Sequence, residues 1–228
     1  MSAIGKWLRP ALSVPKTSWS AGESNWKVSP KTLIVLIIGL WLFGAGEAAL
    51  VAAGIGQSPW TVLAAGVSAQ AGISIGWAYL WVSVFVLSLW FPLRQKPGLG
   101  TFLNIVVIAT SIQVMIEIFP NPQRFELQVL QVLFGIFLVG AGSGLYLTCN
   151  VGPGTRDGLM TGLNARTGVR VGRARTFVEV SALTVGWLLG GVVGLGTLLF
   201  ALLVGQGVAL AFGIVERISP EVKPPSKP

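Results

Sequence analysis

Apolar residues run along this chain in long blocks, separated by short stretches rich in glycine, proline or charge. Six blocks reach the roughly 17–25 residues that a helix needs to cross a bilayer. They cover 32–54, 75–93, 101–119, 127–150, 172–191 and 195–215. Two shorter segments, 56–72 and 152–168, lie between the first and second blocks and between the fourth and fifth. One opens on Gly56 and Pro59, the other on Gly152, Pro153 and Gly154, and they close on Gly72 and Gly168. About a dozen helix-compatible residues remain in each, too few to span. The second also carries Arg156, Asp157, Asn164 and Arg166. Both read as short helices, either re-entrant or interfacial, because irregular backbone at membrane depth survives only where protein or water covers it.

The same pattern occurs twice, 96 residues apart. Gly39-Leu40-Trp41-Leu42-Phe43-Gly44-Ala45-Gly46 returns at 135–142 as Gly-Ile-Phe-Leu-Val-Gly-Ala-Gly. Gly56, Gly66, Gly72 and Gly76 map onto Gly152, Gly162, Gly168 and Gly172, and Gly98-Leu99-Gly100-Thr101 onto Gly194-Leu195-Gly196-Thr197. Internal repetition in an apolar chain indicates a membrane protein made of two related halves. Three spans per half is an odd number, so the second half enters the membrane upside down. The expected fold is an all-α membrane protein with six transmembrane helices as two inverted three-helix repeats, each holding one short helix. Its parts would be an amino-terminal arm (1–31), repeat 1 (32–119), an external loop (120–126), repeat 2 (127–215) and a tail (216–228).

Composition agrees. Only 11% of the 228 residues are charged, where a soluble domain has about 25%. The net charge of +8 would suit nucleic acid, but its placement follows topology instead. With the amino terminus inside, Arg124 is the one basic residue of the 16 that falls in an outside segment. Both termini are therefore expected in the cytoplasm, and a nucleic-acid role is set aside. The chain has no His and one Cys, Cys149, which removes histidine-based catalysis and cysteine-based zinc sites. No metal, cofactor or enzymatic activity is expected.

Ionisable groups inside predicted spans are costly and point to function. Glu47 lies past the middle of the first block, with no basic residue near it in sequence. Its choices are a protonated acid, a distant Arg partner or a polar cavity wall. Glu179, in the fifth block, follows Arg175 by four residues, so the two share a helix face and can pair. In Gly152-Pro153-Gly154-Thr155-Arg156-Asp157-Gly158, Thr155 can cap a helix start and Asp157 falls in its first turn. Free amides there, with Arg156, would make an anion site. The bland alternative is a capped interfacial helix held by its arginines. Small-residue spacings such as Gly186-xxx-Gly190-xxx-Gly194 suit close packing within the chain or a homodimer. Trp41, Trp60, Trp77, Trp81, Trp90 and Trp187 mostly fall near block ends, as an interfacial belt would.

Gly152 to Leu163, reading GPGTRDGLMTGL, resembles the GPGxRDGLMTGL signature of the YczE-like bacterial membrane proteins, grouped with YyaS and YitT. Gly56 to Leu63 resembles their GxSPWDVL motif, and Pro92 to Thr101 their loop after the second span. The resemblance covers residues 33–215 and implies an integral protein of the bacterial plasma (inner) membrane. This chain departs from the pattern at Thr61, where those proteins have Asp. Ala64 and Ala65 replace a His-Gln pair, and Ser68 to Ala71 a basic stretch. The departure leaves Asp157 as the acidic group of the paired motifs. The functional expectation is a transporter or permease of a small molecular or ionic solute. Its substrate path would lie between the halves, at Glu47, Arg156, Asp157 and Glu179. The alternative is a non-transporting membrane factor that supports another protein's folding, modification or assembly through its basic inner face.

Overall fold

The computed structural model describes residues 14–22 and 24–219. Its elements are helices: α1 (Pro30–Ala53), α2 (Pro59–Ala71), α3 (Ile75–Ser88), α4 (Trp90–Leu93), α5 (Leu99–Ile118), α6 (Phe125–Thr148), α7 (Thr155–Thr167), α8 (Val171–Leu188) and α9 (Leu195–Ile218). The 96-residue offset carries the first residues of α2, α3 and α5 onto those of α7, α8 and α9. Local chemistry explains the breaks. Pro30 and Pro59 open α1 and α2 at the position where a missing N–H costs nothing, behind the caps Ser29 and Ser58. Gly56 and its mate Gly152 turn the chain at φ 122° and 106°, a region that a side chain would strain.

α1 and α6 cross in close contact at the centre. Gly39 lies against Gly142, and their repeat mates Gly135 and Gly46 lie against each other in the same way. α5 packs on α1, and α9 on α6. The halves also exchange contacts. The Gly100 N–H, at the start of α5, donates to the Val151 carbonyl at 2.9 Å. Its counterpart Gly196, at the start of α9, donates to Ile55 at 2.8 Å. Each of these long helices is thus anchored on the turn before the other half's short helix.

Residues before α1 return to the end of the bundle where the chain finishes. The Ser18 and Ser219 hydroxyls are 2.6 Å apart, and the Trp19 indole donates to Thr148 Oγ1 at 3.1 Å. The described ends of the chain therefore share one end of the bundle. The opposite end holds Ile55, Val62 and Gly191.

Among the described residues, five helices are long and apolar enough to cross a membrane: Pro30–Ala53, Ile75–Leu93, Leu99–Ile118, Phe125–Thr148 and Leu195–Ile218. Five of the six expected apolar blocks thus correspond to such helices. Val171–Leu188, which replaces the expected block 172–191, has Arg173, Arg175 and Glu179 in its first half. It follows α7, and Gly186 near its end and Gly191 just beyond it pack on Leu63 and Val62 of α2. The outward surface is apolar, with Ile34, Trp77, Trp81, Phe85, Phe177 and Trp187 all exposed, as lipid contact requires. Trp60 and Trp90, expected in the belt, are instead 7% and 2% exposed.

Candidate functional site

Each short helix starts beside one buried carboxylate, Glu47 of α1 at the start of α2 and Asp157 in the first turn of α7 itself. At α2, Ser58 caps the helix and Thr61 sits in its first turn. Glu47 of α1 reaches this start with one oxygen, accepting from Ser58 Oγ at 2.6 Å and Thr61 Oγ1 at 2.7 Å. Its other oxygen, Oε1, is buried with no partner among the described residues. At α7 the cap is Gly154, whose side chain contributes nothing, and Thr155 is the first helical residue and not the cap expected from sequence. Asp157 lies back toward Gly154, near the positive end of its own helix. It occupies the place in which free amides were expected to hold an anion.

α7 is held by packing on the α3–α4 region. Gly158 sits against the Trp90 ring so closely that no side chain fits. The Trp90 indole N–H donates to the Thr155 carbonyl at 2.9 Å. Thr101 Oγ1 donates to the Pro153 carbonyl at 2.8 Å, which fixes the turn before the helix. Arg166 closes the far end on the Pro92 carbonyl at 2.7 Å.

Beside the α7 start lies a cavity of about 470 Å³. Its charged wall is Arg156 and Asp157 of α7 with Arg175 and Glu179 of α8. Phe43 of α1 and Trp60 of α2 wall it from the first half, and α6 and α9 complete it with Ser143, Tyr146, Phe200 and Val204 among others. Arg156 stacks its guanidinium on the Phe43 ring at 5.0 Å. Among the described residues it makes no hydrogen bond and no ion pair within 4.0 Å. Arg175 and Glu179 pair at 3.0 Å, as their spacing suggested. Burial pushes the Asp157 carboxyl above its ordinary range, against the pull of Arg156 and then Arg175. Trp60 lines the cavity, and its indole N–H has no partner among the described residues.

Three of the four residues singled out from sequence, Arg156, Asp157 and Glu179, therefore share one wall. Glu47 does not. It is fully buried behind the α2 start, with Oε2 accepting from two hydroxyls, Oε1 without a partner among the described residues, and Arg156 within electrostatic reach. Gly56, Pro59, Gly152, Pro153 and Gly154 form the turns that set the two short helices. Trp60, Phe43 and Tyr146 were not legible as site residues. The first two look like belt and core aromatics in sequence; the α1–α6 crossing brings Phe43 and Tyr146 to the cavity, and the packing of α2 on α8 brings Trp60. Among the described residues, no group of three or more His, Cys, Asp or Glu could hold a metal ion.

A family model described as "Family of unknown function (DUF6198)" matches residues 30–212, which takes in both short helices and the cavity. The chain belongs to this family. It is 41% identical over 205 residues to an "Uncharacterized protein" of Haemophilus influenzae, covering 90% of this chain and 94% of that one. It is 30% identical over 187 residues to the "Uncharacterized membrane protein YczE" of Bacillus subtilis, covering 82% and 83%. The "Uncharacterized protein YyaS" of the same organism is 24% identical over 184 residues, covering 79% and 92%. No solved structure matches. The YczE-like family is thus the right one. This chain's own long apolar helices, with a relative named as a membrane protein, make it an integral, multi-pass membrane protein.

Proposed function

We propose that this chain is a transporter or permease of a small solute, with the cavity between its halves as the solute site. One observation carries the reading. Arg156, Asp157, Arg175 and Glu179 share a single cavity wall inside a membrane protein, and the facing walls come from both halves. Charge kept at such depth is expensive and marks solute or ion paths. Charged groups at the start of a short helix between two repeats suit a binding site around which repeats rock.

In this reading the repeats are inverted, and α8 is a sixth pass despite its charge. The 96-residue offset of helix starts and the exchanged anchors at Gly100 and Gly196 support that. The basic residues place both termini on the cytoplasmic side of a bacterial inner membrane. The shared end of residues 18 and 219 is consistent with this.

Uptake of a radiolabelled panel of amino acids and organic anions into liposomes containing the full chain tests the proposal. Uptake of at least one class above protein-free liposomes, and lost in Asp157→Asn and Arg156→Gln at equal incorporation, is expected. Uptake equal to protein-free liposomes across the panel would count against transport and favour a partner-supporting role.

A further inference from the structure

α8 and α9 are consecutive and both wall the cavity, yet they barely touch each other. Their repeat counterparts α3 and α5 pack together. The cavity is therefore open sideways between α8 and α9, toward the surface that lipid covers. The rim on α9 is small and apolar, with Ala201, Val204, Gly205 and Val208. Ala201 and Gly205 are exposed, and a Cβ on Gly205 would meet open space.

The inner wall holds groups that lack partners. Trp60 is 7% exposed, and among the described residues its N–H finds no acceptor. Arg156 has an aromatic face beneath it but no acceptor among the described residues. Asp157 follows Arg156 on the charged wall and lines the same cavity as Trp60. Two donors that need an acceptor thus lie beside one carboxylate that a cation would stabilise. An anion alone would meet Asp157 as a like charge, and a cation alone would meet Arg156. A ligand with both charges suits the wall, because each charge finds an opposite partner there to offset the cost of leaving water.

We propose that the cavity takes the headgroup of a zwitterionic amphiphile directly from the bilayer through the slot between α8 and α9. The anionic group lies on Arg156 and the Trp60 N–H, the ammonium lies on Asp157, and the acyl chains leave past Ala201 and Gly205. This rests on the cavity being a solute site and narrows the solute to a membrane-borne one. A volume of about 470 Å³ holds a headgroup and leaves the acyl chains in the slot and the bilayer.

The test uses the full chain in phosphatidylcholine liposomes doped with phosphatidylethanolamine that carries a photoactivatable diazirine high on one acyl chain. Cross-linked peptides are mapped by mass spectrometry. Labelling is expected at residues 201–208 of α9. It should fall at least fivefold in Gly205→Trp, which fills the slot, and in Arg156→Gln, each checked for a monodisperse elution profile. Ala201→Trp replaces Gly205→Trp if the latter aggregates. Labelling confined to outward residues such as Phe177, and unchanged in the variants, would overturn the proposal. A second arm measures equilibrium binding of radiolabelled leucine, a water-soluble zwitterion. Leucine bound in wild type but not in Asp157→Asn, with the cavity unlabelled by lipid, would overturn lateral access and leave the solute site standing. Failure of both probes would remove the solute site as well.

Discussion

The Glu47 carboxylate accepts the Thr61 hydroxyl at 2.7 Å, joining α1 to the start of the short helix α2. The 96-residue offset maps Glu47 onto Ser143 and Thr61 onto Asp157. Each half therefore has one carboxylate and one hydroxyl at these two positions, on opposite helices. In the first half the long helix supplies the acid, and in the second half the short helix does. The departure at Thr61 that left Asp157 as the lone acid of the paired motifs is compensated in space by Glu47.

This exchange makes a stability prediction. Thr61→Asp alone puts a second carboxylate beside Glu47 in a fully buried place and should lower the thermal midpoint sharply. Combining it with Glu47→Ser, which copies the second half's pattern, should recover most of the loss. Glu47→Ala should cost about 1–3 kcal/mol, because it leaves the Ser58 and Thr61 hydroxyls without their acceptor. Intrinsic fluorescence during heating in detergent measures all three. A double variant no better than Thr61→Asp would contradict the equivalence.

Gly158 and Gly205 should respond oppositely to the same substitution. A Cβ at Gly158 would overlap the Trp90 ring, whereas one at Gly205 would meet open space. Gly158→Ala should displace α7 and destabilise the protein, with a cost of about 1–3 kcal/mol for an overpacked site. Gly205→Ala should stay within about 0.5 kcal/mol of wild type. Expression level and thermal midpoint read the difference.

Cys149 is 0% exposed, and burial pushes its thiol up to about 12. A raised thiol pKa keeps the group neutral at pH 8, and the thiolate is the reactive form. Maleimide at pH 8 should leave the folded protein unlabelled over an hour and label it fully after unfolding in dodecyl sulfate. Fast labelling of the folded chain would show that the Thr148–Cys149 end of α6 opens.

Much of the architecture was readable in the apolar blocks, since span length and glycine-proline breaks are local properties. The starts at Pro59 and Thr155 and the Arg175–Glu179 pair follow from spacing alone. What was hidden depends on which helices cross. Glu47 looked unpartnered because its hydroxyl partners lie 11 and 14 residues away, beyond a chain reversal at Gly56. Trp60 looked like a belt residue because its burial is set by the packing of α2 on α8. α8 was read as apolar because its second half is. In its charged first half Arg175 and Glu179 pair beside the cavity, while Arg173 is exposed.

Ser143 lies on the cavity wall of α6 and is otherwise enclosed by protein. It offers the most direct measurement of whether this space is a path. Ser143→Cys, made in the native background because Cys149 should not react, is exposed in membrane vesicles to an impermeant cationic thiosulfonate from either face. Ser111→Cys, fully buried against the Trp41 carbonyl, serves as the dry control. A solute path between rocking halves predicts labelling of Ser143→Cys from both faces, at least tenfold faster than the control. Labelling at the control's rate, or from one face alone, would contradict it.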